Sequence, residues 1–208
     1  MTAVAAELPS GIKPRRFVDR GAIFAGWVGL GMGLVIAISF ELIVAVQSIV
    51  FILAPLAGAV IGGYANVRSE RWRPRSRVLA NAAYAGLVTG VGLALLYVIL
   101  RLLFIYADTG YPAFNRTDPS TGQPIPPFCA TGPACTYERY VAFGRGPELA
   151  ASGVTDAASF EPFVLREQLT GGLALVVLTL GGALVGGGLR ALRDPIVETE
   201  EATAPIGG

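Results

Sequence analysis

The sequence predicts an all-α membrane protein, a four-transmembrane-helix bundle built from two tandem helical hairpins with a small irregular external insertion. The first observation is composition, because 53% of the residues are hydrophobic and only 15% are charged. A soluble domain of this size usually has about a quarter of its residues charged. The second observation is that charge avoids four long segments that are apolar on all sides, whereas a soluble amphipathic helix has one apolar stripe. The third is the uneven distribution of arginine.

The four predicted spans cover residues 21–43, 48–67, 79–106 and 168–190. A hydrocarbon core about 30 Å thick is crossed by about 20 apolar residues in a helix. The stretch 21–67 has only Glu41 and Tyr64 as ionisable side chains, and it is long enough for two spans that turn near Ala45–Ser48. The basic residues before the first span also suit a signal peptide. The apolar region after them is longer than a usual h-region, and no small-x-small cleavage site follows it before more apolar sequence, which favours a retained helix.

The distribution of arginine and lysine predicts on which side of the membrane each segment lies. Eleven of the 16 basic residues belong to the N-terminal tail 1–20, to the connection after the second span, or to the end of the fourth span and the tail beyond it. Four spans put these three segments on one side. Residues 107–167, opposite them, hold four arginines against seven acids. The positive-inside rule therefore predicts cytoplasmic termini and an external 107–167. We also expect residues 191–208 to be a disordered cytoplasmic tail and the membrane to be a prokaryotic plasma membrane.

Small residues recur about every four positions along each predicted span, so they share one helix face. In lipid such residues let helix backbones approach, where no hydrophobic force drives helices together. The pattern could mark either an oligomerisation face or the interior of a tight bundle. The interior is favoured because every span has the pattern. The predicted packing positions are Gly29, Gly33, Gly58, Gly62, Gly86, Gly90, Gly182 and Gly186.

An internal repeat supports the division into two hairpins. Residues 56–63 and 180–187 are identical at five of eight positions without a gap. Glycine-rich helices can also match by chance, so a duplication and a chance match both stay open. A duplication with two spans per copy would relate the copies by a pseudo-twofold axis along the membrane normal. Residues 107–167 would then be an insertion in the second copy.

The insertion contains the only two cysteines, Cys129 and Cys135. An extracytoplasmic location is oxidising, and Gly132-Pro133 between them can turn the chain, so the two are expected to form a disulfide. The bond would stabilise a subdomain whose core is small. Several prolines argue against long helices in its first half. Residues 136–143 have a strand-like composition, and residues 155–159 could begin a short helix.

Two charged residues lie within the apolar segments, where charge is costly. Glu41 and Arg101 fall near the external ends of the first and third spans, at matching depths of the repeat. We expect them to form an ion pair that fixes helix register. Snorkelling of each to water and a proton or ion relay are the alternatives. Pro55 within the second span is expected to bend that helix, and such breaks line binding sites in some transporters.

The residue inventory argues against an enzyme and predicts no cofactor and no metal site. Histidine, the commonest general base and metal ligand, is absent from the sequence. The glycines lie within membrane helices rather than after a strand, so they do not form a dinucleotide fingerprint. A basic connection after the second span predicts contact with anionic lipid headgroups but is too small a field to predict nucleic-acid binding. Its lipid-contacting arginines are Arg71, Arg73, Arg75 and Arg77.

The run Leu56–Arg68, the arginine-rich connection after it and the run Ala82–Leu95 resemble the glycine-rich hairpins of uncharacterised small prokaryotic four-helix membrane proteins. The resemblance covers the spans and not the insertion, and it implies a compact bundle without assigning any residue a role. We expect a non-enzymatic structural or accessory subunit that contacts lipids and forms a membrane-protein complex or a homo-oligomer. The alternative is a small channel or transporter.

Overall fold

The computed structural model describes residues 17–43, 47–68, 74–108, 117, 120–123 and 129–193. Regular secondary structure in these residues is helical throughout, which confirms the predicted fold class. The helices are α1 (Arg20–Ala37), α2 (Gln47–Val67), α3 (Arg75–Tyr106), α4 (Pro133–Tyr140), α5 (Gly146–Ala151) and α6 (Ala157–Arg193). A π-helical segment, Ile38–Ile43, continues α1, and a second, Val141–Arg145, joins α4 to α5.

Four of these helices are long and apolar enough to cross a membrane. The candidate spans are Arg20–Phe40, Ser48–Val67, Arg75–Tyr106 and Ala157–Leu192. Large apolar side chains such as Trp27, Ile52, Leu95 and Val177 are more than half exposed on their outer surfaces. Because such side chains would be poorly hydrated in water but are compatible with lipid, the four helices fit an integral membrane protein.

The four long helices pack as two antiparallel hairpins, α1 with α2 and α3 with α6. Ala22 and Ala25 of α1 share one buried cluster with Ile61 and Ala65 near the end of α2. In the other hairpin, Gly86 contacts Ala183 whereas Gly172, earlier in α6, contacts Val98, later in α3. Helix α2 also packs against α3, so these two helices each contact the other three.

The helix starts and ends group at two ends of the bundle. At one end, α1 and α3 begin while α2 and α6 finish. We call this the arginine end, because Arg20, Arg68, Arg75 and Arg190 lie there. At the other end, which we call the cap end, α3 finishes and α6 begins beneath α4 and α5.

Helix α6 begins much earlier than the predicted fourth span, at Ala157 rather than at residue 168. Asp156 and Ser159 explain where it starts. The Ser159 N–H donates to Asp156 Oδ1 at 2.7 Å, and the Asp156 N–H donates to Ser159 Oγ at 3.3 Å, which together form a capping box. Phe160 and Val164 then bury the first turns against the cap. The stretch 157–167, expected within the insertion, is therefore continuous with the last long helix.

The expected strand character of residues 136–143 is wrong, because this stretch lies in α4 and the π-helical segment after it. Pro133 stands at the first helical position, where its missing N–H costs nothing. Burial then follows a helical period, with Cys135, Thr136 and Arg139 on one face. Composition favoured a strand, but packing of that face against α3 and α6 favours the helix.

Helices α4 and α5 form a cap with a core of its own. Ile105 from α3, Leu149 from α5, Val154, and Phe160 and Val164 from α6 are its buried residues. Tyr137 and Tyr140 pack against Phe160, with ring centroids 5.8 and 5.7 Å away. The cap is therefore built onto the ends of two membrane helices and shares its core with them.

Candidate functional site

The interior of the bundle is organised by contact between the backbones of α2 and α6. A Cβ atom added to Gly58 would overlap the Thr179 carbonyl group, and one added to Gly182 would overlap the Pro55 carbonyl group. One turn further on, Gly62 faces the Ala183 carbonyl in the same way. The two helices run in the same direction along this seam, as the order of the contacts shows.

The contacts of this α2–α6 seam are reciprocal. Gly186 faces the Ala59 carbonyl, as Gly62 faces that of Ala183. Residues 59 and 183 occupy the same place in the internal repeat, and Pro55 and Thr179 come directly before its two copies. Each contact is thus matched by one in which the two helices exchange roles. A pseudo-twofold axis parallel to the two helices produces this pattern, as expected of two parallel hairpins.

A second seam joins α1 to α3, also in parallel. A Cβ atom on Gly29 would overlap the Thr89 hydroxyl, and one on Gly33 would lie 3.7 Å from Leu93 Cβ. The remaining predicted packing glycines, Gly86 and Gly90, face α6 instead. All eight therefore lie where helices of this chain meet. Other glycines within the spans, Gly31, Gly181 and Gly188, have no heavy atom within 4 Å of a built Cβ atom.

Polar side chains inside the bundle are largely satisfied within their own helices. Thr89 Oγ1 donates to the Ala85 carbonyl at 2.8 Å, and Thr179 Oγ1 donates to the Leu175 carbonyl at 2.7 Å. Both threonines are fully buried. Because each hydroxyl bonds the carbonyl one turn earlier, neither requires a solute or a water file to satisfy it.

A polar layer lies near the cap end of α3 and α6. Arg101 is only 4% exposed, and its Cζ atom stands 5.7 Å from the centroid of the Tyr97 ring. Gln168 of α6 lies at the same level, because Gly172, one turn after it, meets Val98, one turn before Arg101 on the facing helix. The Glu41 backbone is in the π-helical segment, but its side chain is outside the described part. The Glu41–Arg101 ion pair therefore stays a prediction.

The two cysteines of the cap are joined as a disulfide, with Cα atoms 5.7 Å apart. Arg139 supports this loop from within the cap, where it is 3% exposed. Its guanidinium donates to the carbonyl groups of Cys129 and Ala130 at 3.1 and 2.6 Å, and to that of Asp108 at 3.2 Å. Arg139 therefore ties the disulfide loop to the end of α3.

Two further bonds strengthen the cap end, one between the cap and α3 and one between α3 and α6. Thr136 Oγ1 lies 3.1 Å from the Ile105 carbonyl oxygen and can donate to it. Tyr106 at the end of α3 donates its hydroxyl to the Glu161 carboxylate of α6. Gly153, at a φ of +84°, ends α5 in a Schellman turn, in which the Val154 N–H donates to the Leu149 carbonyl at 2.9 Å.

The arginine end contains a polar link that sequence analysis did not predict. The Asp19 N–H donates to Asn81 Oδ1 at 3.0 Å, and Asn81 Nδ2 donates back to Asp19 Oδ2 at 2.9 Å. Arg77 Nη1 donates to the Phe17 carbonyl, so that side chain joins α3 to the segment before α1. Arg75 is exposed on the first turn of α3. Arg71 and Arg73 lie outside the described residues, so lipid contact by the basic connection stays a prediction.

Arg139 and Asn81 are the polar residues that sequence reasoning missed. Arg139 follows Cys135 by four residues, which places both on one helix face, but only if the segment is helical. Asn81 lies in the first turn of the predicted third span, and its partner Asp19 lies far away in sequence. Neither contact follows from local spacing.

The described residues contain no cluster of three or more histidine, cysteine, aspartate or glutamate side chains that could hold a metal ion. Comparison with protein-family models, curated proteins and solved structures finds no match for this chain. The arrangement of residues is therefore the basis for a functional proposal: two backbone seams, a polar layer and an anchored cap.

Proposed function

We propose that this protein is a non-enzymatic structural or accessory subunit of a membrane complex in a prokaryotic plasma membrane. Its termini lie in the cytoplasm, and its cap faces a partner outside. The observation that carries this proposal is the closed interior of the bundle. Gly58, Gly62, Gly182 and Gly186 bring the backbones of α2 and α6 into contact where a pathway would need space.

The alternative, a small channel or transporter, needs polar groups available to a solute across the middle of the membrane. The buried threonines there donate to their own helices. Pro55, expected to bend α2, presents its carbonyl group to Gly182 within the seam. This close approach supports a packing role for the proline. A rigid bundle is better suited to holding a recognition surface than to alternating between two open states.

The cap is the surface that would meet the partner. Val141 and Phe143, in its π-helical segment, are 44% and 41% exposed. The cap that presents them is held by the disulfide, the Arg139 contacts and the shared core. Side chains presented by a fixed scaffold lose little entropy on binding.

Two measurements test the proposal. A photoreactive amino acid at Phe143 is expected to cross-link one defined protein in native membranes, while the same group at Leu173, an exposed position within the membrane, is expected not to. Purified protein in sealed liposomes should give proton and small-ion flux no greater than empty liposomes. A saturable flux that is abolished by substituting Arg101 or Pro55 would replace the subunit proposal with the transporter.

A further inference from the structure

The outer surface of the α1–α2 hairpin contains an arginine that the bundle holds in place at the arginine end. Arg68 follows the last residue of α2, and its N–H donates to the Tyr64 carbonyl at 3.1 Å. Its Cζ atom lies 5.4 Å from the centroid of the Phe24 ring and 5.7 Å from that of the Tyr64 ring. The two rings, from different helices, have centroids 6.5 Å apart. The Arg68 side chain therefore lies over the junction between α1 and α2.

The hydrogen bonds of Arg68 leave most of its donors available. Nε donates to the Tyr64 hydroxyl at 3.0 Å, which fixes the plane of the guanidinium. Among the described residues no carboxylate pairs with Arg68, and the side chain is exposed. The terminal Nη1 and Nη2 groups present a fork of N–H donors, which matches the oxygens of a phosphate.

The residues around this fork suit a lipid ligand better than a soluble anion. Arg20 lies one helical turn before Phe24 on the same face of α1 and is exposed, which adds a second cation. Towards the membrane centre, Trp27 continues that face and is 70% exposed. Val60 of α2 is 63% exposed one turn from Tyr64. Cations at the helix ends are thus followed by an apolar surface that runs into the membrane.

We propose that Arg68, held by Phe24 and Tyr64, is the centre of a binding site for one anionic phospholipid. Its phosphate accepts hydrogen bonds from the Arg68 fork, with Arg20 adding attraction. Its acyl chains lie along Trp27 and the outer face of α2. The aromatic rings and the Tyr64 hydroxyl fix the guanidinium before the lipid arrives, so binding immobilises little that is not already ordered. A zwitterionic lipid offers the same phosphate but adds a cation beside the two arginines, so it binds less well.

Quenching of Trp27 by brominated lipid tests this site directly. The chain has two tryptophans, so Trp72→Phe leaves Trp27 as the only tryptophan fluorophore. The protein is reconstituted in vesicles that contain equal fractions of either brominated phosphatidylglycerol or brominated phosphatidylcholine. Phosphatidylglycerol is expected to quench more strongly. Arg68→Gln should reduce this preference about fivefold, the factor for one cation beside an anionic headgroup. Arg68→Lys keeps the charge but loses the fork, so its preference for phosphatidylglycerol should lie between those of the unmodified protein and Arg68→Gln.

Arg75→Gln is the matched control, because it removes one exposed arginine at the same end of the bundle, on a different helix from the Phe24–Tyr64 pair. As one of the arginines expected to contact lipid headgroups, Arg75 contributes general surface charge, so Arg75→Gln should lower the preference less than Arg68→Gln does. If Arg68→Gln and Arg75→Gln lose the same share of the phosphatidylglycerol preference, general surface charge explains it and the site is overturned. Equal quenching by the two lipids would also overturn the site. Native mass spectrometry in mild detergent gives an independent count of retained phosphatidylglycerol, with one molecule fewer expected for Arg68→Gln.

Inorganic phosphate distinguishes a lipid site from a site for the free ion. In micelles doped with brominated phosphatidylglycerol, millimolar phosphate at matched ionic strength should leave Trp27 quenching unchanged, because the acyl chains contribute to lipid binding. Displacement of the lipid by phosphate alone would assign the arginine fork to a soluble anion and overturn the lipid proposal.

Discussion

Single glycines decide how closely the helices of this bundle approach. At Gly58 the neighbouring group is a backbone carbonyl of α6, which cannot move aside as the end of a flexible side chain could. Gly181, on the same helix as that carbonyl, faces open space. Both residues are glycines within apolar helices, and local sequence does not tell them apart. Their different surroundings lead to opposite expectations for the same substitution.

Gly58→Ala is expected to destabilise the protein by about 1–3 kcal/mol, because the new methyl group forces α2 and α6 apart. Gly181→Ala is expected to be neutral or slightly stabilising, since alanine favours a helix over glycine. Thermal unfolding in a mild detergent, followed by circular dichroism, compares the two. Equal transition temperatures for both variants would contradict the close backbone contact between α2 and α6 at Gly58.

At the scale of elements, the cap depends on where α6 begins. The Ser159 backbone N–H, which donates to Asp156 Oδ1, lowers the pKa of that carboxyl below its ordinary value of 3.8. A lowered pKa means that the ionised form stabilises the folded state. This stabilisation is complete at pH values above the ordinary pKa and is lost as the pH falls through the lowered pKa. The first turn of α6, with Phe160 in the cap core, should therefore loosen in acid.

Hydrogen exchange in the first turn of α6 should accelerate relative to the rest of the helix as the pH falls from neutral through the lowered pKa of Asp156, where the ionised carboxylate is lost. The comparison is made after correction for the intrinsic pH dependence of exchange. In Asp156→Asn the pH-dependent part should disappear, because the amide does not titrate in this range. Glu148→Gln, an exposed carboxyl of α5, serves as the control and should keep the response. The same pH response in Asp156→Asn as in the unmodified protein would contradict the role of this capping box.

At the scale of the whole molecule, the arrangement of the four helices fixes which segments share a side. Arg20, Arg68, Arg75 and Arg190 gather at one end, and α4 and α5 cover the other. This grouping follows from helix packing alone. The bias of arginine towards the cytoplasmic side then predicts that the arginine end faces the cytoplasm.

Cysteine labelling tests that assignment, because the native cysteines are joined and leave no reactive thiol. A cysteine at Thr121 should react with a membrane-impermeant maleimide in intact cells. A cysteine at Ser76, exposed in the first turn of α3, should react only after permeabilisation. The reverse pattern would place the arginine end outside and remove the topological basis of the subunit proposal.

Sequence alone was sufficient for features that depend on local composition and spacing. Four apolar segments of membrane length predicted four long helices because lipid leaves a backbone few alternatives. The proximity of Cys129 and Cys135, with a turn between them, was sufficient to predict their disulfide. The repeat predicted two parallel hairpins. Glycines four residues apart indicated close helix contacts, although not which helix each would face.

Only the tertiary structure decided which surfaces meet. It assigned Gly58 to the α2–α6 seam and left Gly181 open, and it joined Asp19 to Asn81 across a long separation in sequence. It also made residues 136–143 helical and extended α6 back to Ala157, since burial against neighbouring helices outweighs the intrinsic preference of a short segment. The four membrane helices thus follow from each segment's own interaction with lipid, whereas the seams and the cap follow from contacts between segments that local sequence does not encode.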